Sequence, residues 1–462
     1  MFDASTYAQR RKRLGDTLGS GMALFLGNPE LPMNYAANTF HFRQDSSFLY
    51  FWGLDDPDLA AVIDLDERTE AIFGDDFTVD DIVWRGPQPT IAERAARAGV
   101  ACTAPRAALA GKLAQAVRRG RRIHFLPQYV ADNRIAIERL LGIRADAVND
   151  YASADLINAV VAQRAVKSAE ELREIEAALE TCYEMHTLAM KLARPGVYER
   201  EVAGAMEGVV ASRGARLAFP VIFSIHGETL HNHYHGNRME AGQMAVNDSG
   251  AESPLHYAAD ITRTIPIGGR FTGLQRDLYL SVLRAQRTAI AAIKPGVRFK
   301  DVHLGAGRSL LSDLKDVGCV KGNLDDAVTA GVQGLFFQCG LGHMMGLDVH
   351  DMEGLGEQYV GYDDTIPRST QFGLKSLRLA RPLQPGFVVT VEPGIYFIPQ
   401  LIDRWKAEGR FAEFVDYGAV EKFRTFGGIR IEDDVVVTEN GCRVLGRPIP
   451  VEIDDVERLA SQ

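Results

Sequence analysis

From residue 1 to about 163, short apolar runs alternate with amphipathic stretches. Met22 to Leu26 and Leu59 to Leu65 are apolar, Ser47 to Trp52 is aromatic-rich, and Ile91 to Ala98 has helical spacing. Short apolar runs bounded by turn residues read as buried strands, and 3.6-periodic stretches read as helices, so this segment is expected to form an α/β unit. Leu156 to Ala165 follows, and then Ser168-Ala169-Glu170-Glu171. Ser168 and Glu171 match a capping box, which predicts the start of a long amphipathic helix and a domain boundary near residue 163.

That helix is expected to run to about Leu192, before Pro195-Gly196. A second is expected over roughly Glu199 to Arg213, ended by Gly214, and a third from about Leu274 to Ile293, ended by Pro295-Gly296. Apolar or alternating runs at Phe219 to Ile225, Met244 to Val246, His256 to Ile267, Val388 to Val391 and Gly428 to Val437 read as strands of a mixed, largely antiparallel sheet. No fixed-period repeat or low-complexity segment interrupts the pattern.

Composition narrows the class. The 462 residues are 46% hydrophobic and 24% charged, as in ordinary globular proteins of two or three domains. A formal net charge of −10 without a long basic stripe argues against a nucleic-acid partner. The one basic cluster, Arg10-Arg11-Lys12-Arg13, lies in a helical segment and reads as a solvated helix face. The N-terminus lacks the features of a secretory signal, and no run approaches ~18 apolar residues, so no membrane association is expected. Five cysteines at irregular spacing fit a reducing compartment, and the expected location is the cytoplasm.

Candidate chemistry lies on the strands of the second part. Asp248 ends one predicted strand and Asp260 lies within the next; Glu392 follows Val388-Val389-Thr390-Val391, and Glu432 sits at Ile429-Arg430-Ile431. Each acid stands in an apolar or glycine-flanked context, where an unpaired charge would be costly. Together with His343 they form a hard-oxygen set with one imidazole, whose four negative charges match two divalent cations. Such donors favour Mn²⁺, the expected metal, with Co²⁺, Fe²⁺ and Zn²⁺ as alternatives, and a paired-cation site serves hydrolysis best. Taken singly, Asp248 is equally a turn aspartate, Glu392 an acid before a turn, and His343 a hydrogen-bonded core histidine. His231, His233 and His235 would share one face if their segment were a strand, which offers a separate zinc site as a minor alternative. Gly340 to Gly346 matches a dinucleotide loop only superficially, because its third glycine falls one place late.

Six ordered motifs carry a resemblance. They are Asp248-Ser249-Gly250, Ala259-Asp260-Ile261-Thr262-Arg263-Thr264, Gly340-Leu341-Gly342-His343, Gly346-Leu347-Asp348-Val349-His350-Asp351, Thr390-Val391-Glu392-Pro393-Gly394 and Gly428-Ile429-Arg430-Ile431-Glu432-Asp433. The chain resembles the pita-bread metallopeptidases of the creatinase, aminopeptidase P and prolidase family. Residues 1–163 are similar to the creatinase-like N-terminal domain, most visibly at Phe42 to Tyr50, and residues 164–462 to the pita-bread catalytic domain, a curved, mostly antiparallel sheet covered by helices. The resemblance implies that Asp248 chelates one ion, that Asp260 and Glu432 bridge, and that His343 and Glu392 complete the other. It also implies that Glu392 takes a proton from water, that His231 lies near substrate, that His350 hydrogen-bonds the scissile carbonyl or the tetrahedral intermediate, and that Arg430 supports the metal-site carboxylates. Cleavage of Xaa-Pro bonds in proline-containing peptides and assembly as a homodimer or homotetramer are implied as well.

Two departures stand out. Where these peptidases carry a histidine four residues before the ligand histidine, this chain has Cys339, a weaker donor expected to alter substrate contacts. One residue is also added between Asp248 and Asp260 relative to the family's commoner spacing, expected in the turn at Ser253-Pro254. The first domain resembles aminopeptidase P, the expected activity. The alternative is an Xaa-Pro dipeptidase, since the segment around Arg378 and that between Tyr396 and Phe426 resemble prolidase, in which the matching arginine binds a dipeptide's carboxylate. The remote alternative, an inactive binding module on the same fold, has no need of all five ligands.

Overall fold

The computed structural model describes all residues, 1–462, and the chain divides into two compact units. The first comprises Met1–Arg164 with Met352–Tyr359, and the second Ala165–Asp351 with Val360–Gln462.

In the first unit the apolar runs become strands β1 (Met22–Leu26), β2 (Ala60–Asp64), β3 (Thr69–Phe73), β4 (Thr103–Ala104) and β5 (Ile123–Phe125), in the order β4-β3-β2-β1-β5. β2 pairs antiparallel with β1 and β3, whereas β1–β5 and β3–β4 are parallel. Every residue of β1 is buried, so the sheet is covered on both faces at this strand, as its unbroken apolar run implies. Met22, Leu24 and Leu26 point into one core with Leu109, Leu113 and Ile137 of flanking helices. Phe25 points the other way, 5.2 Å from Phe51 and 6.2 Å from Trp52.

The expectation that Arg10 to Arg13 form a solvated face is corrected for its first two members. In helix α1 (Ala4–Leu18) the buried side chains are Tyr7, Arg10, Arg11 and Leu14, spaced i, i+3, i+4, i+7, so the two arginines fall on the core stripe. They meet helix α2 (Ser46–Trp52), the form taken by the aromatic-rich run. Arg10 donates to the Tyr50 carbonyl (3.0 Å) and Arg11 to that of Phe51 (2.9 Å), both in the last turn of α2, where carbonyls lack intrahelical partners. Arg10 also lies 3.9 Å from the centroid of the Tyr50 ring, and Arg11 pairs with Glu70 at 2.7 Å. Lys12 remains solvated, paired with Asp16.

The second unit opens with helix α3 (Ala169–Leu192), and both halves of its capping box form: Ser168 N–H donates to Glu171 Oε2 (2.9 Å) and Glu171 N–H to Ser168 Oγ (3.4 Å). Helices α4 (Glu199–Ser212), α5 (Gly273–Ala292) and α6 (Phe299–Asp316) follow. Strands β6 (Ile222–Ser224), β7 (Met244–Ser249) and β8 (Ile261–Pro266) pair in the order β8-β7-β6. A second group contains β9 (Val388–Val391), β10 (Gly394–Tyr396), β11 (Gly428–Arg430), β12 (Asp433–Val437) and β13 (Cys442–Val444), paired β9-β12-β13 and β10-β11. All these pairs are antiparallel, and the bridge between Thr262 and Glu432 links the two groups. The turn between β7 and β8 is closed by Ser253 N–H donating to the Tyr257 carbonyl at 2.8 Å.

Candidate metal centre

Strand register brings the acids together. Asp248 lies opposite Thr262 in the β7–β8 pair, and Asp260 immediately precedes β8. The close approach of the two strands depends on Gly250, whose absent Cβ would sit 2.0 Å from the Ala259 carbonyl oxygen. In the other group the pairs Val391–Asp433 and Gly394–Arg430 share one continuous register, so Glu392 faces Glu432 between the two ladders. Pro393 has no N–H and interrupts the ladder there. Glu392 N–H instead donates to the Leu341 carbonyl (2.8 Å), and Glu432 N–H to that of Thr262 (3.1 Å).

His343 is delivered by a third segment. Leu341 to Met345 runs along β9, with Thr390 N–H donating to the His343 carbonyl and His343 N–H to Thr390 Oγ1, each at 3.1 Å. A Cβ on Gly342 would lie 2.0 Å from the Thr390 carbonyl oxygen, so only glycine permits this contact. His343 Nε2 lies 3.5 Å from Asp260 Oδ2 and 3.7 Å from Glu392 Oε1.

Asp260, His343 and Glu432 thus place ligand atoms within 4.8 Å of one another, all three residues buried. Glu392 joins through His343, while Asp248 Oδ2 is held by Arg430. The remaining oxygens Asp248 Oδ1 and Asp260 Oδ1 are buried with no hydrogen-bond partner, an arrangement unfavourable for carboxylates unless a cation binds them. The residues therefore fit divalent metal. Electrostatics agree: burial first, then Asp248, pushes Asp260 above the ordinary range, and burial followed by Asp260 pushes Glu432 up. Burial also drives Glu392 up to about 8, with Asp260 and Asp248 adding to the rise against the pull of Arg430.

Arg430 ties the acids into one network. Burial would weaken its charge, but Tyr396, Asp248, Glu392 and Glu432 together raise its pKa well above the ordinary value. It donates to Thr262 Oγ1 (3.1 Å) and Tyr396 Oη (3.0 Å), and Thr262 Oγ1 donates to Glu432 Oε2 at 2.6 Å. Thr262 and Tyr396 did not emerge from the sequence as site residues. The alternation in Asp260-Ile261-Thr262 places Thr262 on the same face as Asp260 and was the available signal; Tyr396 offered none beyond its nearness to Glu392.

One cavity of about 400 Å³ collects the four acids and the His343 imidazole together with His231, His350, Cys339, Arg378 and Arg430. His350 stacks edge-on against His343, ring centroids 4.3 Å apart. The Cys339 sulfur is 4.0 Å from Tyr396 Oη, and burial pushes its thiol up to about 12, leaving it neutral. The zinc alternative at His231, His233 and His235 fails because this segment is turn and loop, so no shared strand face exists. His235 directs Nε2 to the Val221 carbonyl (3.1 Å), whereas His231 and His233 line the cavity.

Known proteins share this arrangement of sequence and fold. Residues 173–439, more than half of the chain, match the model of metallopeptidase family M24, and residues 7–124 match the aminopeptidase P N-terminal domain. The chain belongs to metallopeptidase family M24. This metallopeptidase is 32% identical to the Xaa-Pro dipeptidase of Homo sapiens, over 97% of its own length and 90% of that protein's. It is 33% identical to a Talaromyces stipitatus protein described as a "Probable Xaa-Pro aminopeptidase", over 94% and 87% of the two chains. Zinc-substituted Escherichia coli aminopeptidase P in complex with product superposes with a TM-score of 0.80 at 27% identity, covering 99% of this chain and 98% of that one. The metallopeptidase is accordingly an exopeptidase of the two-domain form, and no helix is long and apolar enough to cross a membrane.

Proposed function

We propose that this metallopeptidase hydrolyses the Xaa-Pro bond at the N-terminus of short peptides, with Asp248, Asp260, His343, Glu392 and Glu432 holding two divalent cations, manganese foremost. The observation that carries the reading is the convergence of all five side chains, from four separate stretches of chain, on one cavity with two buried carboxylate oxygens left unpartnered. Bound there, the cations would acidify water and draw charge from the scissile carbonyl. Glu392 accepts the water's proton and returns it to the departing proline nitrogen. His350 donates to the carbonyl oxygen as it gains charge, and His231, which lines the same cavity, orients the peptide. Arg430 holds Asp248 at the edge of the cluster, which keeps that carboxylate oriented. A neutral Cys339 adds bulk but no strong donor.

Residues 1–163 are assigned an architectural or substrate-restricting role, and residues 164–462 catalysis. The aminopeptidase reading draws on the first domain. The dipeptidase reading draws on Arg378, which lines the cavity, where its planar guanidinium suits a free carboxylate; this weighs toward dipeptides. Manganese-loaded protein offered Ala-Pro and Ala-Pro-Ala side by side tests both. Cleavage of Ala-Pro alone, with KM raised on Arg378→Ala, assigns a dipeptidase. Cleavage of the tripeptide assigns an aminopeptidase, and inertness toward both rejects the Xaa-Pro reading.

A further inference from the structure

Behind the cavity, on the far face of β7, lies a closed set of hydrogen bonds that no catalytic role has absorbed. Asp248 points into the cavity, so strand alternation turns its neighbours Asn247 and Ser249 the other way, toward α3 and α4. There they meet His186 of α3, and all three residues are fully buried. Asn247 Nδ2 lies 3.0 Å from His186 Nδ1, and His186 Nε2 lies 3.1 Å from the Ser249 carbonyl oxygen and 3.3 Å from Ser249 Oγ. Ser249 Oγ donates back to Asn247 Oδ1 at 3.1 Å.

The donors fix the ring's state. An amide nitrogen only donates, so His186 Nδ1 must accept from Asn247; Nε2 then carries the proton and donates to the Ser249 carbonyl. A neutral imidazole satisfies every one of these contacts, and burial, reinforced by Arg263, pushes the His186 pKa down to about 3. The imidazole therefore grips β7 at the residue before Asp248 and at the residue after it. Rotation of the backbone at Asp248 would break one contact or the other.

We propose that His186 is a positioning residue which, from behind the sheet, sets the direction in which Asp248 presents its carboxylate to metal. The inference rests on the reading of Asp248 as a ligand. It predicts a loss of metal affinity without direct contact with metal or substrate, as for groups that orient ligands elsewhere.

The test is a calorimetric titration of metal-free protein with Mn²⁺, run on the unsubstituted chain, His186→Leu and His186→Gln, alongside thermal melts and Ala-Pro kinetics. Leu removes both contacts, whereas Gln can accept from Asn247 and donate to Ser249. The expected result is Mn²⁺ binding weakened about 10- to 100-fold in His186→Leu, largely restored in His186→Gln, with kcat at limiting Mn²⁺ falling and KM for Ala-Pro unchanged. Unchanged Mn²⁺ affinity and stoichiometry in a folded His186→Leu, whatever its melting temperature, would reduce His186 to packing and overturn the proposal. Should that variant not fold, Asn247→Leu decides in its place: weakened Mn²⁺ binding supports the proposal, and unaltered binding overturns it. If the unsubstituted chain itself takes up no Mn²⁺, the metal reading fails, a result separate from a failure of His186 alone.

Discussion

Among the proposed ligands, Asp260 is the one whose position is expected to tolerate least change. Its backbone N–H donates to Asp434 Oδ2 (3.0 Å), one side-chain oxygen is 3.5 Å from His343 Nε2, and the other has no partner. Asp260→Asn keeps the shape and removes the charge, so turnover is expected to be abolished and metal content to fall, checked by assay and elemental analysis of the same sample. Near-normal activity with full metal content would exclude a bridging role. At this scale the sequence was most informative about residues with rare chemistry in tight motifs. It was least informative about Arg10 and Arg11, where a run of like charges concealed a helical stripe, and about Thr262, whose hydroxyl matters only because Arg430 and Glu432 arrive from 168 and 170 residues away.

Among the elements, the strand and helix runs were legible because their flanking turns and caps were explicit, as at Ser168. The pairing between distant strands was not, since single β-bridges such as that of Thr262 with Glu432 leave no local pattern. The run from Leu341 to Met345 carries no strand signal, yet it is held along β9 like one, and this contact depends on Gly342. Gly342→Ala would force a methyl against the Thr390 carbonyl, an overpacking expected to cost about 1–3 kcal/mol. Thermal melting should register that loss, and Mn²⁺ affinity should fall with it because His343 moves. A melt indistinguishable from that of the unsubstituted protein would contradict the tight packing seen here.

For the whole molecule, the acid cluster links metal, protons and stability. Without metal, Glu392 is pushed from its ordinary 4.5 up to about 8. A carboxyl raised in the folded state binds more protons there than in the unfolded chain, so its contribution is fully present below about 4.5 and is lost as pH rises through about 8. Metal-free protein is therefore expected to melt at progressively lower temperature between pH 5 and about 8, and Mn²⁺ binding at neutral pH to release protons, seen as a buffer-dependent heat. A flat profile in chelator would oppose this. The first unit also exposes Tyr35 and Phe40, on and just after the hairpin of residues 32–39, and Val79 and Trp84 of the helix Val79–Arg85, Trp84 being 86% exposed; Arg85 pairs with Glu30, just before the hairpin, at 2.8 Å. These side chains are a candidate contact for the homodimer or homotetramer that the family resemblance implies. Light scattering should then give two or four times the chain mass, falling in Trp84→Glu; an unchanged mass in that variant would exclude this contact.

The break at Pro393 has a dynamic consequence. Across β9 and β12, and again across β10 and β11, main-chain bonds hold the strands, but between Glu392 and Glu432 each amide is committed to a different neighbour. Beside them the seam is spanned by Ile431 N–H donating to the Pro393 carbonyl at 3.3 Å, a long bond, so the charge lying between the two side chains is expected to bear on its width. In deuterated solvent, amides beside the seam, such as Ile431, should exchange faster than Val389 in chelator-treated protein and slow toward it once cations draw the two edges shut.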